Sequence, residues 1–193
     1  FVFLAGDLVY KVKKPVNLGF LDYTTLEKRR FFCEKEVELN RRLCPDAYLG
    51  VVAVTEQKSK MSLNGDGWVL EYAVKMRRLP QEAMLSTLLV RNQATPEMLA
   101  SVAKKLAEFH SQTETNAAIS AFGSLATIRQ NTAENFKQTE GYIGTTVSIK
   151  QYRIIKAYTE GFIKRNAPLF RRRIDENKIR DLHGDLHAAH ICL

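Results

Sequence analysis

The stretch HGDLHAAH, from His183 to His190, places three of the chain's four histidines around one aspartate, Asp185. Three interpretations of this stretch are open. In the first, His183 and His187 bind a single zinc ion, because a spacing of four puts two imidazoles on one helix face. Gly184 weakens that interpretation, since glycine is a poor helix former. In the second, the stretch is a polar loop whose histidines make ordinary hydrogen bonds.

The third interpretation is the catalytic loop of a phosphotransferase. Kinase catalytic loops follow the order His-x-Asp-Leu, with a metal-binding residue five positions after the aspartate. His183, Asp185 and Leu186 match this order. The fifth position after Asp185 is His190, where asparagine is usual. In this interpretation Asp185 takes the position of the catalytic-loop aspartate.

A strand near the amino end of the chain carries a second candidate group. The segment 8–14 alternates so that Val9, Lys11 and Lys13 share one face. A lysine in such a strand most often only faces solvent. The helix predicted to follow carries several glutamates, and a strand lysine paired with a helix glutamate holds nucleotide phosphates in kinases. Lys11 is therefore a candidate phosphate ligand.

The first part of the chain predicts a small sheet with one inserted helix. The helix should begin at Thr24, as the cap of a capping box with Glu27, and run to about Leu43 before Pro45. The polar stretch 57–67 contains Asn64-Gly65-Asp66-Gly67, which predicts a hairpin turn. Strands are predicted at residues 1–4, 8–14, 48–55 and 68–76.

Beyond residue 80 the pattern becomes helical. Thr95 and Pro96 predict a helix start, because proline is favoured at the first helical position. Further helices are predicted at about 124–140 and 148–172. The sequence therefore predicts an α+β fold, with a strand-rich part at 1–79 that ends in a linker and a helical part at 80–193.

Composition restricts the partners of the chain. A net charge of +8 favours anions, either nucleotide phosphates or nucleic acid. No groove-reading helix or row of stacking aromatics is recognisable, which disfavours nucleic acid. The apolar runs are only a few residues long, so no membrane-spanning helix is expected. Three scattered cysteines without a CxxC spacing predict reduced thiols and a cytoplasmic location.

Both ends of the chain lie inside strand-like runs. Phe1 is not a methionine and opens an apolar stretch, and the chain ends at Ile191-Cys192-Leu193. We therefore expect a segment of a longer protein, truncated at both ends and inactive by itself.

Taken together, these motifs resemble the aminoglycoside phosphotransferase family. His183-Gly184-Asp185-Leu186-His187 carries the resemblance, which extends over nearly the whole chain. The other segments are similar to one bacterial branch of that family, often fused to a C-terminal P-loop ATPase-like domain. These segments are YKVKKP (10–15), GFLD (19–22), LEKRR (26–30), EVELNRRL (36–43), YLGVV (48–52) and EYAVKMRR (71–78).

The resemblance implies a bilobal protein-kinase-like fold that uses ATP with Mg²⁺ or Mn²⁺ to phosphorylate a hydroxyl of a small molecule. It implies that Lys11 contacts the α- and β-phosphates, with Lys13 as the alternative, and that Glu36 pairs with the lysine. The acceptor stays open, because an acidic aminoglycoside pocket is not evident in a chain of charge +8. The implied hinge, which would meet adenine, consists of Met76, Arg77, Arg78 and Leu79.

The resemblance also assigns roles at the carboxyl end. Asp185 would be the catalytic base, His183 would support its loop and His190 would take the metal position. Mg²⁺ prefers oxygen ligands, whereas Mn²⁺ tolerates imidazole better. The family's second metal ligand would lie beyond Leu193, and its first strand before Phe1. Two alternatives remain: a non-catalytic nucleotide-binding regulatory module, favoured by His190, and a basic nucleic-acid-binding domain.

Overall fold

The computed structural model describes residues 1–19 and 21–193, which form two compact units. The first, Phe1–Thr95 with His187–Leu193, contains the sheet, and the second, Pro96–Leu186, is helical. The predicted α+β class is confirmed. The predicted boundary at 79/80 differs from the structure, where the first unit continues to Thr95 and regains the last seven residues. Phe20, within one segment of the resemblance, lies outside the described residues.

The sheet of the first unit is antiparallel throughout, in the order β1-β2-β5-β3-β4. Adjacent side chains on each strand point to opposite faces, so the register decides which groups can meet. In the β1–β2 ladder, Val2 lies opposite Lys11 and Leu4 opposite Val9. The strands are β1 (Val2–Ala5), β2 (Leu8–Val12), β3 (Tyr48–Gln57), β4 (Lys60–Leu63) and β5 (Trp68–Arg77).

β3 and β5 pair directly and antiparallel, as the predicted hairpin implies, but the stretch 57–67 that connects them is more than a turn. It contains β4, which is joined to β3 by Lys58 and Ser59 with φ of 51° and 60°. Two successive positive φ angles match the twist of a two-residue hairpin, but residues other than glycine, asparagine and aspartate seldom adopt them. Met61 and Leu63 alternate with Lys60 and Ser62, but all four residues are exposed, so this short alternation does not mark a strand with one buried face.

Helix α1 (Leu26–Arg41) begins one residue later than predicted. Its cap is Thr25, whose Oγ1 accepts a hydrogen bond from the Lys28 amide at 3.3 Å. The predicted cap, Thr24, is wrong, because its hydroxyl donates to Asp22 Oδ1 at 2.6 Å. The capping-box pattern selects Thr24, because Glu27 follows it by three residues, whereas the residue at that spacing from the observed cap, Thr25, is Lys28.

Replacing Thr25 with alanine should lower the free energy of unfolding by about 1 kcal/mol, because one amide of the first turn loses its acceptor. Denaturant unfolding monitored by circular dichroism would measure the change. Thr24→Ala is the matched control and should stay within about 0.5 kcal/mol of wild type. A larger loss for Thr24→Ala than for Thr25→Ala would contradict the assignment.

The core of the first unit lies between α1 and the sheet. Cys33 and Val37 of α1 pack on Val74 of β5, and all three side chains are buried. Tyr48, Val51, Tyr72 and Met76 pack around them. Burial raises the pKa of the Cys33 thiol to about 11, so the thiol stays protonated and unreactive at neutral pH. The prediction of free cysteines is confirmed.

The end of the chain packs within the first unit, against a short helix, α2 (Leu85–Val90). The Leu85 amide donates to Ile191 O at 2.8 Å, and the Leu193 amide donates to Ala83 O at 3.0 Å. The predicted strand-like character of the last three residues is present here as an antiparallel bridge between Met84 and Cys192. This bridge anchors the residues that follow His187.

The second unit consists of helices. The predicted helix over 148–172 is wrong as a single element, since Asn166 separates two helices. A continuous helix would lose the amide at Pro168 and push its ring against the preceding turn. No helix in the described part of the chain is long and apolar enough to cross a bilayer. The helices are α3 (Pro96–Gln112), α4 (Ala117–Ala121), α5 (Leu125–Thr139), α6 (Ile149–Arg165) and α7 (Ala167–Asp175).

The segment that leads to His183 is attached to the end of α3. Arg180 Nη1 donates to Thr113 O at 2.7 Å, and Thr115 Oγ1 donates to Ile179 O at 2.7 Å. The Asp181 amide donates to Glu114 O at 3.1 Å. These bonds fix the backbone immediately before the histidine-rich stretch.

Candidate functional site

Two lysines share one glutamate in the first unit. Lys11 Nζ of β2 lies 2.9 Å from Glu36 Oε1, and Lys13 Nζ lies 2.7 Å from Glu36 Oε2. The arrangement arises because Lys11 and Lys13 project from the same side of the extended chain, on which α1 packs. The expected contact between Lys11 and Glu36 is present, and the alternative lysine occupies the second oxygen of the same carboxylate.

The electrostatics of this group favour an anion. Burial alone would raise the pKa of Glu36, but hydrogen bonds from Lys13 and Lys11 outweigh it and hold that pKa below its ordinary value. The carboxylate is therefore ionised at neutral pH and is flanked by two ammonium groups. The cluster keeps a net positive charge, which attracts phosphate or carboxylate groups.

A cavity of about 590 Å³ opens on the same face of the sheet as Lys11. Its apolar wall consists of Val2 and Leu4 of β1 and Val9 of β2. Val2 is the ladder partner of Lys11, so this apolar wall continues directly to the lysine. The remaining lining residues are Asp7, Arg78, Leu79, Pro80, Gln81 and Glu82.

The expected hinge residues have different environments. Arg78 and Leu79 line the cavity, whereas Met76 packs against the core around Val74. The Arg77 amide already donates to Ala47 O at 2.8 Å, and the Arg78 amide donates to Asp7 O at 2.8 Å. Of the expected hinge, therefore, Arg78 and Leu79 are the residues placed to meet a ligand in the cavity, and the amides of Arg77 and Arg78 are engaged elsewhere.

Asp185 lies in a turn that His183 stabilises. The Asp185 amide donates to His183 Nδ1 at 3.3 Å, and Gly184 between them has a φ of +79°. This contact accords with the supporting role expected for His183. The stretch is not α-helical, so the arrangement of His183 and His187 on one helix face is wrong. Asp185 itself is exposed.

The side chains of His187 and His190 lie close together just after this turn. Residues 188–190 form a 3₁₀ turn, in which His187 Nδ1 accepts from the Ala189 amide at 3.3 Å. The rings of His187 and His190 lie 3.8 Å apart between centroids. Along the continuous stretch 185–190, one ligand atom each of Asp185, His187 and His190 falls within 4.8 Å of the others. One carboxylate with two imidazoles suits Mn²⁺ or Zn²⁺ better than Mg²⁺.

Sequence reasoning missed a largely buried ion pair between α1 and β5. Arg29 Nε of α1 lies 2.7 Å from Glu71 Oε2 of β5, and Arg29 Nη1 donates to Tyr23 O at 3.0 Å. Arg29 is four residues before Cys33, so it lies on the core-facing side of α1. A charged residue at such a position signals a buried partner, and this signal was available in the sequence.

No family model matches the chain, and no solved structure matches it. A protein of Mycobacterium tuberculosis and one of Mycobacterium bovis, both named as uncharacterized proteins, are each 32% identical to it over 192 residues. These matches cover 100% of this chain but 37% of each relative. The chain thus spans little more than a third of the length of the curated relatives it matches.

Proposed function

We propose that the chain is the core of an ATP-dependent phosphotransferase with a protein-kinase-like fold, which transfers the γ-phosphoryl group to a hydroxyl of a small molecule. The contact of Lys11 and Lys13 with Glu36, next to an open cavity, carries the proposal. A strand lysine held by a helix glutamate is the kinase arrangement for binding nucleotide phosphates. Free thiols accord with a cytoplasmic location.

The cavity has a volume and a lining that suit the base of a nucleotide. Ligand pockets typically have volumes of about 300–1,000 Å³ and combine apolar walls with a few polar groups. Val2, Leu4 and Val9 offer an apolar surface for a base, and Arg78 and Gln81 of the lining carry polar side chains. A base in the cavity would leave its phosphates directed toward Lys11, because Lys11 adjoins Val2 in the ladder.

Asp185 would act as the general base for a hydroxyl acceptor. A carboxylate within reach of that hydroxyl accepts or orients its proton during attack on the phosphorus atom. His190, with the His187 ring beside it, would hold the metal ion that neutralises charge on the transferred group, and imidazole ligands favour Mn²⁺ over Mg²⁺. The fused P-loop ATPase-like domain remains a prediction for residues outside this chain.

Filling the cavity tests where ATP binds. In Val9→Trp the indole should occupy the apolar wall, so ATP affinity measured by calorimetry should fall about tenfold or more. Tyr10→Trp is the matched control, because Tyr10 is the next residue on β2 and faces the other side of the sheet. Equal ATP affinity for wild type and a folded Val9→Trp variant would overturn the assignment of the cavity.

A second candidate function is a regulatory module that binds nucleotide without transferring phosphate. The imidazole of His190, at the position where kinases have an oxygen ligand, favours it. ATP binding that depends on Lys11, with no transfer in the presence of either Mg²⁺ or Mn²⁺, would select this candidate. Transfer with either metal would exclude it.

A further inference from the structure

Helix α6 carries an apolar stripe that the second unit leaves exposed. The stripe consists of Ile154, Ile155, Tyr158 and Phe162, whose spacing of three and four residues places them on one side of the helix. Their exposed fractions range from 39% to 65%. The rings of Tyr158 and Phe162 lie side by side, with centroids 6.2 Å apart. Four large apolar side chains thus form one continuous surface.

The opposite side of α6 is already packed. Tyr152 and Ile163 are buried, with exposed fractions of 8% and 5%. The Tyr152 ring lies edge-on to Phe136 of α5, with centroids 5.7 Å apart, and its hydroxyl donates to Phe136 O at 3.1 Å. A helix with apolar residues on more than one side is typical of a helix enclosed by neighbours. The apolar stripe therefore indicates a second neighbour for α6, in addition to α5.

Polar residues occupy a third side of the same helix. Arg153, Glu160 and Lys164 are exposed there, at the spacing of one helical face. A helix whose outer surface met only solvent would carry such residues across that whole surface. The sequence of α6 instead separates a polar side from the apolar stripe, which marks the stripe as a contact surface.

We propose that an apolar segment of the natural-length protein, from outside residues 1–193, packs on the apolar stripe. The relatives support an occupant from the same polypeptide, because the match covers 37% of each relative and leaves nearly two thirds of its length outside. The proposal concerns an interface within the protein, so it holds or fails independently of the phosphotransferase activity.

The size of the apolar stripe favours a covalently linked occupant over a separate molecule. A stable interface between separate proteins buries about 800 Å² on each partner and involves about 20–30 residues a side. The stripe offers four side chains. A segment of the same polypeptide binds with a much smaller loss of translational freedom, and its effective concentration is high. A second copy of this chain would therefore be held too weakly by the stripe alone.

Hydroxyl-radical footprinting of the natural-length wild-type protein, analysed by mass spectrometry, tests the proposal without any substitution. Oxidation of Tyr158 should be about tenfold or more slower than in the urea-unfolded protein, since a covered side chain reacts only through local opening. Tyr142 is the matched control, because its exposed fraction is 58% and it lies in the same unit outside α6. Its oxidation should be slowed far less.

Cross-linking identifies the occupant. Replacing Phe162 with the photoreactive analogue p-benzoylphenylalanine should, on irradiation, link α6 to a peptide from outside residues 1–193 in a molecule of monomer mass. Oxidation of Tyr158 as fast as that of Tyr142, each relative to its unfolded rate, would overturn the proposal. Protection that disappears on dilution, or that requires vesicles of anionic lipid, would also overturn it, since a second copy or a membrane would then be the occupant.

Discussion

Replacing Asp185 with asparagine is expected to lower the rate of phosphoryl transfer about 10²–10⁴-fold, the range associated with loss of a general base. Asparagine keeps the size of the side chain but cannot accept the proton of the attacking hydroxyl. The measurement is transfer of labelled phosphate from ATP by the natural-length protein, with Mg²⁺ and with Mn²⁺. ATP affinity, measured in parallel, should change far less than the rate.

Asp175→Asn is a suitable control, because Asp175 is an exposed carboxylate at the end of α7 in the same unit as Asp185. Its transfer rate should equal that of wild type. A rate for Asp185→Asn within a factor of two or so of the control would remove Asp185 from the reaction, since a general base contributes at least about 10²-fold. Phosphotransfer would then need another base.

The second large effect is on stability. Replacing Arg29 with methionine should lower the free energy of unfolding by about 3 kcal/mol, because the Glu71 carboxylate is left partly buried without its cation. The exposed fractions of the two side chains, 11% for Arg29 and 20% for Glu71, place the pair well inside the surface. Denaturant unfolding monitored by circular dichroism would measure the loss of stability.

Arg30→Met is the matched control, because Arg30 pairs with Glu34 at 2.8 Å on the exposed side of the same helix. Its cost should stay below about 1 kcal/mol, as is usual for exposed pairs. Adding Glu71→Leu to Arg29→Met should recover part of the lost stability, since the unpaired charge is removed. A double variant less stable than Arg29→Met would show that the cost comes from packing and not from charge.

Elements with strong local signals could be predicted from the sequence. Pro96 begins α3, and Ser124 and Ser148 cap α5 and α6, because side-chain caps and proline act on the backbone within one turn. The predicted strand at 68–76 differs from β5 by one residue. Alternation of apolar residues is a local property, so these predictions needed no tertiary information.

Features that depend on tertiary contacts could not be predicted in the same way. The short strand β4 owes its existence to pairing with β3, and all four of its residues are exposed. The last residues join the first unit through bonds to Ala83 and Leu85, about a hundred positions earlier in the chain. Sequence patterns carry no information on such long-range pairing, so the membership of these residues in the first unit could not be predicted.

The candidate site was predictable in its residue types and less so in its geometry. Alternation on β2 identified Lys11 and Lys13 together but could not distinguish their burial. The structure separates them, because Lys13 is enclosed near Tyr23 while Lys11 is half exposed. Likewise, the motif spacing identified Asp185 but did not reveal that His187 lies against His190.

The central claim is that this chain is the core of a phosphotransferase, and one measurement tests it most directly. The natural-length protein is incubated with ATP labelled at the γ-phosphate and a panel of small hydroxyl compounds, aminoglycosides included, with Mg²⁺ or Mn²⁺. The account predicts label in at least one hydroxyl acceptor, faster with Mn²⁺, and its loss in Asp185→Asn. Saturable ATP binding without label in any acceptor or in water, under either metal, would contradict it.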